Sequence, residues 1–466
     1  MTILSASLGA ADAAQSQLLR RSYRARLLTI LLLANTLSFA DRAILSAVVE
    51  PIRHELGVSD LQIGMLQGLA FAVMYSLTGI PIGYLAERRS RIGILTVCIM
   101  VFSVATGLCG LAAGFVQLFL LRVLVGVGEG GYMPPATSLV ADHYKPERRA
   151  SALAIFLLGI PLGFFLGSLL AGIVAQHWGW RMVFFVMSVP GVVVSLLMIL
   201  LLREPPRGLA EGAIVRDAAP SFGAVLRELL RLSAFRRLVV AGTVCTCALN
   251  AIGQFQMVYL LRVHQMSLGQ AGLVNGLIAF VSIGTGMLIG GNLTDWLARR
   301  DRRWSMWLPA IGCTAGAACF AAGFAQTALQ PAVALITLGG ILAFFYSAPS
   351  YATVQAIAGV RMRSTAVAVF GVFTGLFGAG LGPLFVGIVS DALARRSFTA
   401  GDFSALCNRG QAVSPDAAID AACRAAAASG IMGALIGASV LIVVAAGFFL
   451  LSSRALRETV GGFSTR

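Results

Sequence analysis

The sequence predicts an all-α membrane protein with twelve transmembrane helices in two pseudo-symmetric six-helix bundles. Three observations carry this expectation. Of 466 residues, 58% are hydrophobic and 12% charged, with a mean hydropathy of +0.85, whereas soluble domains carry about 25% charge. Apolar runs, most of them 20–25 residues long, recur along the chain, enough to cross a bilayer as a tilted helix. The second half of the chain also repeats the first.

The runs lie near 27–48, 61–84, 93–113, 117–141, 151–174 and 180–202, then 238–261, 269–293, 305–325, 331–355, 364–389 and 429–452. None shows the two-residue alternation of a β-barrel. They divide the chain into an N-terminal segment 1–26, a first bundle 27–203, a linker 204–237, a second bundle 238–453 and a tail 454–466. The basic cluster Arg20, Arg21, Arg24, Arg26 ahead of a full-length apolar run argues against a cleavable signal peptide. In the linker, Glu204-Pro205-Pro206 stops a helix. Phe222, Val225, Leu226, Leu229 and Leu230 then follow the spacing of an amphipathic helix lying on the membrane surface.

Basic residues set the expected orientation. Twenty-six of 35 fall on the side holding both termini and the linker, seven on the other side, and Arg42 and Arg122 lie inside runs. The positive-inside bias makes the first side cytoplasmic. It also accounts for the net charge of +15 without nucleic acid. All but one of the basic residues are Arg, and Ala and Gly are abundant, as in a GC-rich bacterial genome. The expected location is therefore a bacterial inner membrane, multi-pass. Cys407 and Cys423 fall in the long outer loop 390–428, where oxidation is permitted, and are candidates for a disulfide. The other six Cys lie in apolar runs as small buried residues.

Gly83, Glu87 and Arg91 follow run two at i, i+4, i+8; Gly291, Asp295 and Arg299 follow run eight at the same spacing, 208 residues later. Arg149 and Arg363, opening runs five and eleven, are related by 214 residues, as are Tyr132 with Tyr346 and Pro135 with Pro349. Two parallel six-helix halves follow, with a substrate path between them near the midplane. Run five carries Gly159, Gly163 and Gly167, run eleven Gly378 and Gly382, all read as seams where helices approach closely.

Four ionisable residues interrupt the apolar runs: Asp41 and Arg42 in run one, Arg122 and Glu129 in run four. Each costs roughly 2.5–3.5 kcal/mol at mid-membrane, so such groups pair and mark substrate or ion paths. Structural ion pairs clipping helices together are the alternative. Arg122 and Glu129 are seven residues apart, about two turns, and share a helix face. Neither pair has a counterpart in the second half, which offers aromatics instead, among them Phe255, Tyr259 and Tyr346. One charged wall and one aromatic wall suit an amphipathic or anionic small molecule.

The two Gly-acid-Arg segments resemble the signature of the major facilitator superfamily, and the resemblance covers nearly the whole chain. It implies a monomeric transporter working by alternating access, in which Gly83, Glu87, Arg91 and their copies Gly291, Asp295, Arg299 latch the halves. Asp41-Arg42, Arg122 seven residues before Glu129, and Ala141-Asp142 resemble the Spinster-like sphingolipid and lysophospholipid transporters. An Asp-Arg pair in helix one is also similar to organic-ion symporters. On this reading Arg42 pairs with Glu129, and Arg42 or Arg122 receives a phosphate or carboxylate head through charge-assisted bonds. Asp41, with Glu129 as the alternative, carries a proton, because burial and a neighbouring Arg together set a carboxylate's proton affinity and differ between states.

No Walker A, H-E-x-x-H or G-x-S-x-G motif occurs, and the sequence implies neither cofactor nor enzyme. The four His, His54, His143, His177 and His264, lie near loops, where solvent is the expected neighbour, and they do not suggest a metal site.

Overall fold

A computed structural model describes residue 18 and residues 20–86, 88–144, 146–206, 222–408, 411–412 and 416–461. Glu87 lies outside the described residues, as do the side chains of Arg149 and Arg363. Among the described residues, eleven helices are long and apolar enough to cross a membrane. One of them, Ala152–Leu201, is 50 residues long, about 75 Å at 1.5 Å per residue and too long for one crossing. It turns at Gly179, whose φ of 80° only glycine adopts without strain. Its contacts show the reversal. Gly159 packs on Asn35, Trp180 Nε1 donates to Glu55, and the Arg203 N–H beyond its end reaches back to the Tyr23 hydroxyl. Residues 152–178 and 180–201 are thus crossings five and six, and there are twelve crossings.

The others are Arg21–Leu56, Asp60–Ala86, Arg91–Cys109 and Phe115–His143, the first four. Ser233–Arg262, Leu268–Ala298, Trp304–Phe324, Leu329–Ala358, Ala366–Ser397 and Ala417–Arg454 are crossings seven to twelve. Their starts follow local chemistry. Ser59, Ser90 and Ser267 cap crossings two, three and eight by accepting from an N–H in the first turn. The helix Phe222–Arg231 precedes crossing seven, with Leu229 buried while Arg227, Glu228 and Arg231 are exposed.

The repeat is visible in the backbone. Crossing four breaks after Gly130 and restarts at Met133; crossing ten passes through a 3₁₀ turn at Phe344–Tyr346, 214 residues on. At both breaks a tyrosine hydroxyl holds the first helix of its half. Tyr132 donates to the Leu31 carbonyl, and Tyr346 bonds the Thr246 hydroxyl in crossing seven. A Cβ on Gly83 would meet Pro134, and one on Gly291 would meet Ala348; the glycines are 208 residues apart and their partners 214. The glycine seam of crossing five runs along crossing one: a Cβ on Gly167 would lie 2.6 Å from the Ala40 carbonyl oxygen.

One face of the molecule carries the start of crossing one and the end of crossing twelve, the terminal face, and the other carries the connection between crossings eleven and twelve, the loop face. Crossing eleven runs to Ser397 and crossing twelve begins at Ala417, so helices take up both ends of the expected loop 390–428. Cys407 in the connection and Cys423 in the first turns of crossing twelve form a disulfide with Cα atoms 5.6 Å apart, beside a two-residue antiparallel bridge.

Candidate functional site

Asp41 and Arg42, side by side in crossing one, point about 100° apart and find different partners on crossing four. Arg122 Nη1 lies 2.7 Å from Asp41 Oδ2, and Arg42 Nε lies 2.9 Å from Glu129 Oε2. Seven residues of crossing four thus span one residue step of crossing one, as helices that cross at an angle allow. Asp41, Arg122 and Glu129 are at most 3% exposed. Arg42 keeps 19% of its side chain accessible, the most of the four, and lines the cavity together with Arg122.

Neighbours complete each pair. The Thr106 hydroxyl donates to Asp41 Oδ1, so both Asp41 oxygens are engaged. The Ser38 hydroxyl donates to Glu129 Oε2 at 2.9 Å, while Glu129 Oε1 and Arg122 Nε have no partner. Phe39, Phe71 and Tyr75 surround the Arg42 guanidinium with ring centroids 4.6, 4.6 and 4.8 Å away, an aromatic cradle that favours a cation where water is scarce. The four charges cancel, and the arrangement can accept an anion at Arg42 or a proton at a carboxylate without a large net charge in the membrane.

The cavity beside them is a narrow space of ≈ 30 Å³ between the halves. Arg42, Gln67, Phe71 and Arg122 line it from the first half, Asn250 and Gln254 from the second. Sequence reasoning missed the three amides. Asn250 and Gln254 are one turn apart in crossing seven, a polar i, i+4 pair in an apolar run, and that was the available signal.

The second-half aromatics require correction. Phe255 and Tyr259 are fully buried and do not line the cavity. Tyr259 donates to the Gly323 carbonyl and accepts a bond with His264. Both lie on the face of crossing seven opposite Asn250 and Gln254. Tyr346 packs on Phe449 and bonds Thr246, one turn from Asn250. His143, expected at solvent, is fully buried, with Nδ1 bonded to the Leu139 carbonyl and its ring stacked on Tyr23.

The expected latch between halves also differs. Arg91 is 1% exposed and binds Asp142 and the Ser138 hydroxyl in the first half, and Glu204 at 2.8 Å and the Pro205 carbonyl at the start of the linker, none of them in the second half. It begins crossing three between the ends of crossings four and six, so its reach stays within its own bundle. Burial works against charge on Glu204, but the Ile92 N–H, Arg91 and Ser90 hold its carboxyl below the usual carboxylate range. Asp295 and Arg299 are exposed.

Bonds between the halves gather at the loop face and mid-membrane. Arg262 of crossing seven makes two 2.8 Å bonds to the Asp60 carboxylate and reaches Glu50 at 2.6 Å; the Ser390 hydroxyl donates to Asp60 Oδ2. Asp391 accepts from the Asp60 and Leu61 N–H groups, capping crossing two from the other half. The loop face is thereby clasped shut. The charges of this clasp sit at the ends of apolar runs, where a charge in sequence reads as an ordinary solvated loop residue.

A twelve-crossing pseudo-repeat with buried acid–Arg pairs beside an interbundle cavity defines a secondary transporter. Residues 31–401 match the family model of the Major Facilitator Superfamily, and the chain belongs to that family. It is 34% identical over 366 residues to an MFS-type efflux pump of Mycolicibacterium smegmatis, covering 78% of this chain and 84% of that one. It is 27% identical over 386 residues to the sphingosine-1-phosphate transporter SPNS2 of Mus musculus, covering 78% and 69%. Its fold is similar to an inward-facing, unoccupied bacterial homolog of the human lysosomal transporter Spinster. There the TM-score is 0.86 and the identity 31%, over 94% of this chain and 99% of that one. Within the superfamily the chain is a Spinster-like transporter, not an enzyme.

Proposed function

We propose that this transporter moves an amphipathic, anionic, lipid-like molecule by proton-coupled alternating access, with Arg42 receiving the charged head. The observation that carries this is the pair of cross-helix ion pairs at mid-membrane beside the cavity, of which Arg42 is the most accessible member. Lysophospholipids and sphingoid phosphates fit the chemistry, and the relatives named for sphingosine-1-phosphate support it. The loop face is taken as the outside, the termini as cytoplasmic, and the protein as a monomer in a bacterial inner membrane.

Proton binding belongs to Asp41 or Glu129. Asp41 has both oxygens occupied, whereas Glu129 Oε1 has no partner and can take a proton without giving up a bond. That ranks Glu129 first in this conformation, and Asp41 in one where Arg122 moves away. Proteoliposomes with an imposed pH gradient separate the two. Loss of proton-driven uptake in Glu129→Gln, with Asp41→Asn retaining it, assigns Glu129; the reverse assigns Asp41. Full pH dependence in both variants would end the proton-coupled reading. Unchanged binding of a lysophospholipid by Arg42→Ala would remove Arg42 from the site.

A second reading, export of small organic anions or drugs, is favoured by the similarity to the mycobacterial efflux pump. It shares the site and differs in cargo. Competition between lysophosphatidate and a single-ring organic anion distinguishes them.

A further inference from the structure

The amide wall of the cavity is not explained by charge. Gln67 is 5% exposed, and its Nε2 donates to the Gln254 carbonyl across the halves at 3.2 Å. A carbonyl accepts only from the NH₂ end of an amide, so the orientation of Gln67 is determined. Its Oε1 is then buried, on the cavity lining, and accepts from no protein group. Asn250 is oriented the same way: its Nδ2 donates to Thr246 O at 3.0 Å, leaving the carbonyl end for the cavity it lines. A buried acceptor without a donor costs about 1–3 kcal/mol, and such atoms persist where a ligand or other function uses them.

The backbone gives an independent indication. Gln67 sits in a π-helical turn, Met65–Leu69. A second, Thr374–Ala379, lies in crossing eleven, and Ala379 lines the same cavity. Next to them Gly68 packs on the Gly380 carbonyl. π-turns cluster at functional sites because the extra residue redirects one side chain, and here that side chain is Gln67.

The cavity thus has donors on one side, at Arg42 and Arg122 with its unpartnered Nε, and neutral acceptors on the other. We infer that Gln67, with Asn250, is a specificity residue that selects an anionic head carrying a hydrogen-bond donor, a hydroxyl or an ammonium, next to its phosphate or carboxylate. This rests on the proposed reading of an anionic amphipath held at Arg42.

The test uses purified full-length protein and two probes of equal chain length, dodecyl phosphate and 2-hydroxydodecyl phosphate, with affinity read by calorimetry. Wild type is expected to bind the hydroxylated probe about tenfold more tightly. Gln67→Met, similar in shape but without an acceptor, is expected to abolish that preference, so that the two probes bind with equal affinity. Asn250→Leu gives the same readout should Gln67→Met fail to fold. Equal affinity of wild type for both probes, or an undiminished preference in the variants, overturns the assignment of Gln67. Loss of both probes in Arg42→Ala shows at the same time that the anionic reading stands. Binding of neither probe by wild type removes both.

Discussion

Asp41 and Arg42 adjoin in sequence and part company in space, each taking a partner from crossing four. Removing one member of such a buried pair strands a charge, at a cost of about 3–5 kcal/mol, whereas removing both leaves a neutral contact. Arg122→Gln is therefore expected to lower the melting temperature of purified protein sharply, and Asp41→Asn with Arg122→Gln to recover most of it. Nearly equal melting of Arg122→Gln and wild type would show the pair to be loose. Glu204 gives a pH-dependent counterpart outside the membrane. Its carboxyl titrates lower in the folded protein than in the unfolded chain. Its contribution is thus present above the unfolded value, about 4.3, and fades as pH falls through the folded one. Glu204→Gln should lower stability at pH 7 by about 1 kcal/mol, a figure kept small for a partly exposed group, and the difference from wild type should shrink as the pH falls through the folded value. The bond from Arg42 to Glu129 was legible because an ionised group in an apolar run demands a partner. Gln67 was not, since a neutral amide makes no such demand and a π-turn has no signature in composition. Phe255 and Tyr259 were misplaced because an evenly apolar helix hides which of its faces meets the core.

The elements of the fold were easier to anticipate than the side chains. The glycine seam of crossing five and the paired tyrosines follow from residue spacing. The backbone breaks at Gly130–Tyr132 and Phe344–Tyr346 do not, because a helix interruption of one turn leaves the apolar run intact. The seam can be tested against a control. Gly167→Val should cost about 2–3 kcal/mol, because its side chain enters the Ala40 backbone and crossing one must shift. Gly437→Val, at a site with nothing within 4 Å, should change little. Thermal unfolding in detergent separates the two, and equal effects would mean the seam is slack.

At the scale of the molecule, the two halves share a backbone and divide the labour. The first half supplies the mid-membrane charges, and the second closes the loop face through Arg262, Ser390 and Asp391. Arg262→Gln removes the bidentate grip on Asp60 and the bond to Glu50, so the halves should separate there more often. Spin labels on the loop-face ends of crossings one and seven should report a longer mean distance in Arg262→Gln than in wild type. An unchanged distribution would place the closing force elsewhere.

The cap that Asp391 places on crossing two has a use of its own. The first amides of a helix have no acceptor within it; here Gln62 and Ile63 are served by Ser59, and Asp60 and Leu61 only by Asp391. Those two amide hydrogens are shielded while the bundles touch and meet water once they part. Their deuterium uptake is a built-in clock for the transport cycle, slowing or quickening as cargo or acidity changes the time spent open, with no label attached to the protein.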